Sequence, residues 1–240
     1  MLKHALAALT VSAALSAPAL AAGTDFISFD MLSQGDMTQQ FVDLVNDGHK
    51  IKKVAVFGEY GAVILYDYNG WWAKSVPQEL VTKLDQISKT DQELKSIAFT
   101  KEGGFTVLFG QHDYFTSGID TNAYGLSLLQ TEAAAEFRDV AFPADGGIVL
   151  LEASGGYAWN GLADNSELAR GLKSLADQNL DIDTLFVSPT GGYVAMNQGQ
   201  ILFTENLSEN LVSELYTRQY YGQQPLSLSF LDDDRWILVW

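Results

Sequence analysis

Short apolar runs separated by polar, glycine-bearing turns recur along this chain, and their order repeats. A run such as Ile51 to Phe57 or Leu94 to Phe99 is followed by a tight turn. Gly103-Gly104, Gly146-Gly147 or Gly191-Gly192 supply backbone freedom there. A second run comes next (Ala62 to Tyr66, Phe105 to Phe109, Ile148 to Leu151, Tyr193 to Met196), then a polar turn and an aromatic run. The aromatic members are Trp71-Trp72, Tyr114-Phe115, Tyr157 to Trp159 and Ile201 to Phe203. Runs of this length and turn frequency predict β-strands.

A stretch with helical spacing closes each unit. Leu80, Leu84 and Ile87 fall on one face after Pro77. Leu168, Leu172 and Leu175 do the same in SELARGLKSL, as do Leu211 and Leu215 in SENLVSEL, where Ser208 is placed to cap the helix. A more degenerate copy runs from Asp120 to Phe137, and its Ala133-Ala134-Ala135 run predicts helix.

The hairpin phrases AVFGEYGAVIL, AFTKEGGFTVL, AFPADGGIVLL, FVSPTGGYVAM and SFLDDDRWILV therefore mark five repeats. Their second residues, Val56, Phe99, Phe142, Val187 and Phe230, step by 43, 43, 45 and 43 positions. Such periodicity marks an architecture in which each unit buries its apolar face mainly against its neighbours. The fifth hairpin stops at Trp240 without a third strand or helix. The segment from Asp25 has both, with Phe26 to Phe29 as the strand and Met37, Phe41 and Leu44 as the helix face, and lacks a hairpin before them. The two partial ends add up to one repeat, which predicts a closed ring of five ββ(β)α units, mainly β with helices.

The phrases AFPADGGIVLL and FVSPTGGYVAM resemble the inner hairpin of β-propeller blades of the WD-repeat kind, and five units closed by an N-terminal strand are similar to small five-bladed propellers. That resemblance implies a five-bladed ring. The chain departs from it in having three strands and a helix per unit, where a standard blade has four strands, and no Trp-Asp pair ends a blade. It is also similar, as a second choice, to the penteins, five-fold α/β-propellers with the same cyclic order of elements. Their amidino-transferring members rely on a cysteine, which this chain lacks, so the resemblance implies at most a non-catalytic relative.

Composition narrows the setting. Residues 1–21 read as an export signal, with Lys3 at its head, an apolar stretch from Ala5 to Leu15 and Ala19-Leu20-Ala21 as the cleavage site. Residues 22–240 form one domain, expected in the periplasm or secreted, without a membrane span once the leader is removed. The whole chain carries 30 acidic against 14 basic residues, a net charge of −16. That balance argues against nucleic acid and anionic membranes as partners. No cysteine is present, so stability must come from the core and not from disulfides.

Candidate chemistry is sparse. His49 and His112 are the histidines outside the leader, and no nucleophile-elbow phrase accompanies the His112-Asp113 pair. Asp232, Asp233 and Asp234 offer oxygen ligands for calcium, in a spacing unlike an EF-hand loop. The recurring aromatics Trp71, Trp72, Tyr114, Tyr157 and Trp159 suit stacking on a sugar or a protein partner, and equally suit filling the gap between strand and helix. Tyr220-Tyr221, in a Gln-rich loop, form a separate interface candidate. Alternation of Trp236, Leu238 and Trp240 also resembles the last strand of outer-membrane barrels, although the helical phrases argue against a barrel. The sequence thus points to an exported, non-catalytic binding or interaction module with a protein or glycan partner in the bacterial envelope. The alternatives are a carboxylate-dependent hydrolase acting on sugars and an outer-membrane-associated protein.

Overall fold

Each repeated phrase folds as an antiparallel hairpin continued by a third strand in the computed structural model, which describes residues 26–29, 35–232 and 235–240. The leader (1–21) lies outside the described residues. The chain enters through β1 (Phe26–Phe29) and α1 (Gly35–Asn46). The first complete unit is β2 (Ile51–Phe57), β3 (Gly61–Tyr66), β4 (Gly70–Lys74) and α2 (Gln78–Ser88). The second is β5 (Leu94–Phe99), β6 (Phe105–Phe109), β7 (Asp113–Ser117) and α3 (Ser127–Thr131). The third is β8 (Phe137–Ala141), β9 (Ile148–Glu152), β10 (Tyr157–Asn160) and α4 (Glu167–Asp177). The fourth is β11 (Thr184–Val187), β12 (Tyr193–Asn197), β13 (Gln200–Glu205) and α5 (Glu209–Tyr220), and β14 (Ser227–Phe230) and β15 (Trp236–Val239) end the chain.

The fold is mainly β with helices, in five separate three-stranded antiparallel sheets, each with its unit's second strand in the middle. The fifth sheet is assembled from both ends of the chain. β1 lies beside β15, with Phe26 opposite Val239 and Phe29 opposite Trp236, in the order β1-β15-β14. No helix among the described residues is long and apolar enough to cross a membrane.

Alternation along the middle strands explains the packing. Side chains point to opposite faces in turn, and here both faces are buried. Ala62 and Ile64 join the apolar cluster built on Met37, Phe41 and Leu44 of α1, whereas Val63 and Leu65 join that of Leu80, Leu84 and Ile87 in α2. In β9, Ile148 and Leu150 pack with Leu128 and Leu129 of α3, and Val149 and Leu151 with Leu168, Leu172 and Leu175 of α4. β15 behaves alike: Trp236 and Leu238 pack with Leu211 and Leu215 of α5, while Ile237 and Val239 return to the α1 cluster. Every helix thus fills the wedge between two successive sheets. The first strands also touch in sequence, and β14 meets both β11 and β2.

Two sequence expectations are corrected. Ala133-Ala134-Ala135 is not helical: α3 ends at Thr131 and the alanines form a turn and bend. Leu128 and Leu129 already supply the buried face, and three alanines add no large side chain to hold a further turn on the core. Ser208 precedes α5 but its side chain makes no capping bond, and its hydroxyl is buried without a partner. Ser166 does cap, accepting from Ala169 N–H at 3.1 Å in front of α4.

The glycine at the entry to the second strand has a steric cause. A Cβ on Gly104 would stand 2.5 Å from the Gly118 carbonyl oxygen, at the exit of the third strand. Gly61, Gly147 and Gly192 occupy the same place in the other complete units and meet backbone in the same way. Gly104→Ala is therefore expected to cost about 1–3 kcal/mol of stability through overpacking, read by urea denaturation. The fifth phrase has Arg235 at this position. There the Asp232 carboxylate accepts from the Arg235 backbone N–H at 2.9 Å and from Nε at 2.8 Å, tying the turn from within.

Candidate functional site

First strands from all five sheets converge on one cavity of about 460 Å³ at the end where the hairpins turn. Phe57, Phe99, Phe142, Val187 and Leu231 make its lining largely apolar, and Lys101 and Glu102 stand at its edge. The Tyr124 hydroxyl, from the segment leading into α3 of the same unit, donates to Glu102. Burial and then this carboxylate push the Tyr124 phenol up to about 12, and the same bond holds Glu102 below the usual carboxylate range.

The opposite ends of these strands line a second cavity of about 480 Å³ with a different character. Lys52 reaches into the next unit, to Glu93 at 3.1 Å and to the Leu94 carbonyl. Lys95 repeats the reach one unit on, to Glu136 at 2.7 Å and to the Phe137 carbonyl at 2.9 Å. Burial lowers the Lys52 pKa against the pull of Glu93, while the Lys95 hydrogen bond holds Glu136 down. Asp183, at the corresponding place in the fourth unit, accepts instead from Gln198 N–H at 2.6 Å and from Gln224 at 3.3 Å. The joint between fifth and first units has neither clasp. There Ser227 Oγ accepts from Val54 N–H at 2.9 Å, and the Ser227 and Ser229 hydroxyls both donate to the Val54 carbonyl.

One residue further along, Lys53 crosses between non-adjacent units. Its Nζ lies 2.8 Å from both carboxylate oxygens of Asp139, which also accepts from Ser96 Oγ. Lys53 lines both cavities, so this pair stands between them.

A third cavity of about 370 Å³ opens between the third and fourth sheets, and Ala144, Val187 and Ser188 line it together with the first. Asp145, Glu167, Asn206 and Tyr193 form its outer part. The Tyr193 ring packs edge-on against Phe203, with centroids 5.3 Å apart. Burial, with Glu167 and Glu205 adding to it, pushes the Tyr193 phenol up to about 12.

The recurring aromatics do not gather at these cavities. Trp71 and Trp72 project to opposite faces of β4, one against the α2 cluster and the other against the α1 cluster. Tyr114 packs against the α3 cluster, and Tyr157 and Trp159 against that of α4. The last two stack at 6.1 Å with an interplanar angle of 19°, and the Tyr157 hydroxyl donates to the Leu172 carbonyl at 3.1 Å. All five are half-buried wedge-fillers. The polar groups beside them are engaged too: Asn69 donates to the Ser88 and Thr90 carbonyls, and Asn160 to the Gly125 carbonyl. Tyr220 and Tyr221 are the exposed exception, at 84% and 68%, with rings 5.2 Å apart.

Of the acidic triplet, Asp232 is held by Arg235, and Asp233 and Asp234 lie outside the described residues. Among the described residues no group of three or more His, Asp or Glu side chains is gathered to hold a metal. His49 Nδ1 sits 2.6 Å from Asp67. Burial works against ionisation of Asp67, but the Lys50 N–H and His49 hold it below the usual range. His112 Nδ1 faces the Ala135 carbonyl at 2.6 Å and helps tie down the turn there.

Sequence reasoning missed Lys53, Asp139, Glu102 and Tyr193. Part of the signal was available, since Lys52, Lys95 and Arg138 each stand four residues before a phrase marker, 43 apart.

No family model matches the chain, and no curated protein matches it. Among solved structures, it is similar to a protein of unknown function from Bacteroides caccae at 13% identity and a TM-score of 0.29. The match covers 67% of this chain, which spans 62% of that protein's length.

Proposed function

We propose that the five sheets close into a propeller-like ring of five units, and that this ring is an exported, non-catalytic binding or protein-interaction module of the bacterial envelope, periplasmic or secreted. One observation carries the binding reading: a largely apolar cavity, walled by first strands of all five sheets, ends on the Lys53–Asp139 pair. Such a blind, apolar recess with polar groups at its edge is the usual form of a ligand pocket. Closure is supported by the helix wedges, which succeed one another until β15 returns to the α1 cluster. Of the carboxylates at the opposite mouth, Glu93, Glu136 and Asp139 are each engaged by a lysine and Asp183 by the Gln198 N–H and Gln224, an arrangement that favours structure over acid–base work. β15, whose alternation resembles an outer-membrane strand, is buried on both faces between two sheets. Those two features weigh against the hydrolase and outer-membrane readings.

The test is cross-linked capture in the envelope of the source cell, with three forms of the protein. Ala144→Trp fills the hairpin-end cavity, and Arg138→Glu alters the opposite mouth. The reading expects one reproducible partner for wild type and Arg138→Glu that is lost with Ala144→Trp. Equal recovery from all three, or no partner with any, would overturn it.

A further inference from the structure

The hairpin-end cavity and the cavity between the third and fourth sheets share Ala144, Val187 and Ser188, so they form one groove. Its inner part is walled by the apolar ends of the first strands. Its outer part begins one strand further out, because Val187 and Tyr193 are register partners in β11 and β12, a lateral step of about 4.8 Å.

The outer part is chemically different. The ionisable groups lining it are Asp145, Glu167 and Tyr193, and no lysine or arginine lines it. The nearby cation, Arg170, stands 3.8 Å from the far oxygen of Glu167, whose other oxygen accepts from Asn206 Nδ2 at 3.2 Å. Tyr193 is the second, independent pointer. It is only 5% exposed, lines the groove, and its hydroxyl has no hydrogen-bond partner among the described residues. The hydroxyl itself opens onto the groove and is not sealed in the wall, so water or a ligand group can meet it there.

We propose that this groove binds an extended peptide segment of a partner protein, with an apolar side chain in the inner cavity and a lysine or arginine two positions away, between the Tyr193 hydroxyl and Glu167. The inference rests on the binding-module reading and adds the class of ligand. Side chains two apart in an extended chain share a face and stand about 7 Å from each other, farther than the step of about 4.8 Å between strands, so a residue seated inside the Val187 wall sets the next one on that face beside Tyr193. The phenol oxygen accepts from the ammonium or guanidinium, and Glu167 balances its charge. The chain's net charge of −16 favours a basic partner. A neutral glycan offers no cation to meet Glu167.

The experiment is an amide chemical-shift titration of the ¹⁵N-labelled mature protein, which detects millimolar affinity. The probe is an acetylated, amidated pentapeptide, glycine-leucine-glycine-lysine-glycine, with a second peptide carrying glutamate in place of lysine and a neutral oligosaccharide, cellotetraose, as comparators. Saturable shifts at Ala144, Val187, Ser188, Gly192 and Tyr193 are expected with the lysine peptide. Tyr193→Phe, which keeps the ring packing, and Glu167→Gln should each weaken binding about tenfold, and the glutamate peptide should bind at least tenfold more weakly. No shifts, shifts at the opposite mouth, or equal response to the glutamate peptide would overturn the proposal, as would cellotetraose shifting the same amides. If the lysine peptide fails while Ala144→Trp still abolishes capture of a partner, only the basic-peptide assignment falls. If the capture fails as well, the binding reading falls with it.

Discussion

Asp139→Ala is expected to lower the free energy of unfolding by about 3 kcal/mol, because it leaves Lys53 charged and without its partner. The Lys53 and Asp139 side chains are only 13% and 18% exposed, and the ammonium faces both carboxylate oxygens at 2.8 Å. Ser96 loses its acceptor in the same step. Removing both charges at once should be far milder: Lys53→Met with Asp139→Leu is expected within about 1 kcal/mol of the parent, since a buried ion pair is often matched by apolar side chains of similar size. Urea denaturation of the two single variants and the double variant measures this. A loss below about 1 kcal/mol for Asp139→Ala would mean that water from a cavity that Lys53 lines solvates the stranded ammonium.

The second large effect is expected at Phe41, which is fully buried in the cluster joining α1 to β2, β3 and β15. Truncating it to alanine should cost about 4 kcal/mol, within the range for emptying a phenylalanine site in a packed core. The location matters as much as the size. This cluster draws on both ends of the chain, so the variant should also speed amide exchange of Ile237 and Leu238 in β15 well beyond that of the corresponding Val149 and Leu150 in β9. Leu172→Ala in α4, a wedge built from consecutive units, serves as the comparison. Uniform acceleration in both variants would show that the wedge between the chain ends is no different from the others.

Much of the fold was legible because it is written in local alternation. β2, β5 and β6 run over Ile51–Phe57, Leu94–Phe99 and Phe105–Phe109, the bounds that the apolar runs predict. Pairing of Phe26 to Phe29 with the last hairpin followed from counting what each end lacked. The alanines at 133 to 135 misled because propensity says nothing about whether a helix has a face to bury. The aromatic third strands were legible as a class but not in role, since adjacent Trp71 and Trp72 serve two different wedges. The cavities were not legible at all. Lys53 and Asp139 are 86 residues apart in units that are not neighbours in the chain. Tyr193 reads in the sequence as one more strand aromatic, and only its neighbours in space show that its hydroxyl is left over.

The fifth sheet carries a kinetic consequence. Its outermost pairing sets Phe26 against Val239, so a chain made from its N-terminus holds one strand and half of a helix's contacts in waiting until nearly every other residue has appeared. Four wedges can assemble from neighbours as they arrive, whereas the last must close a loop of almost the whole polypeptide, an entropic cost that grows with the logarithm of its length. Completion of this sheet is therefore the late, slow event of folding, and until it happens the edge of β15 stands open to any other strand that reaches it first.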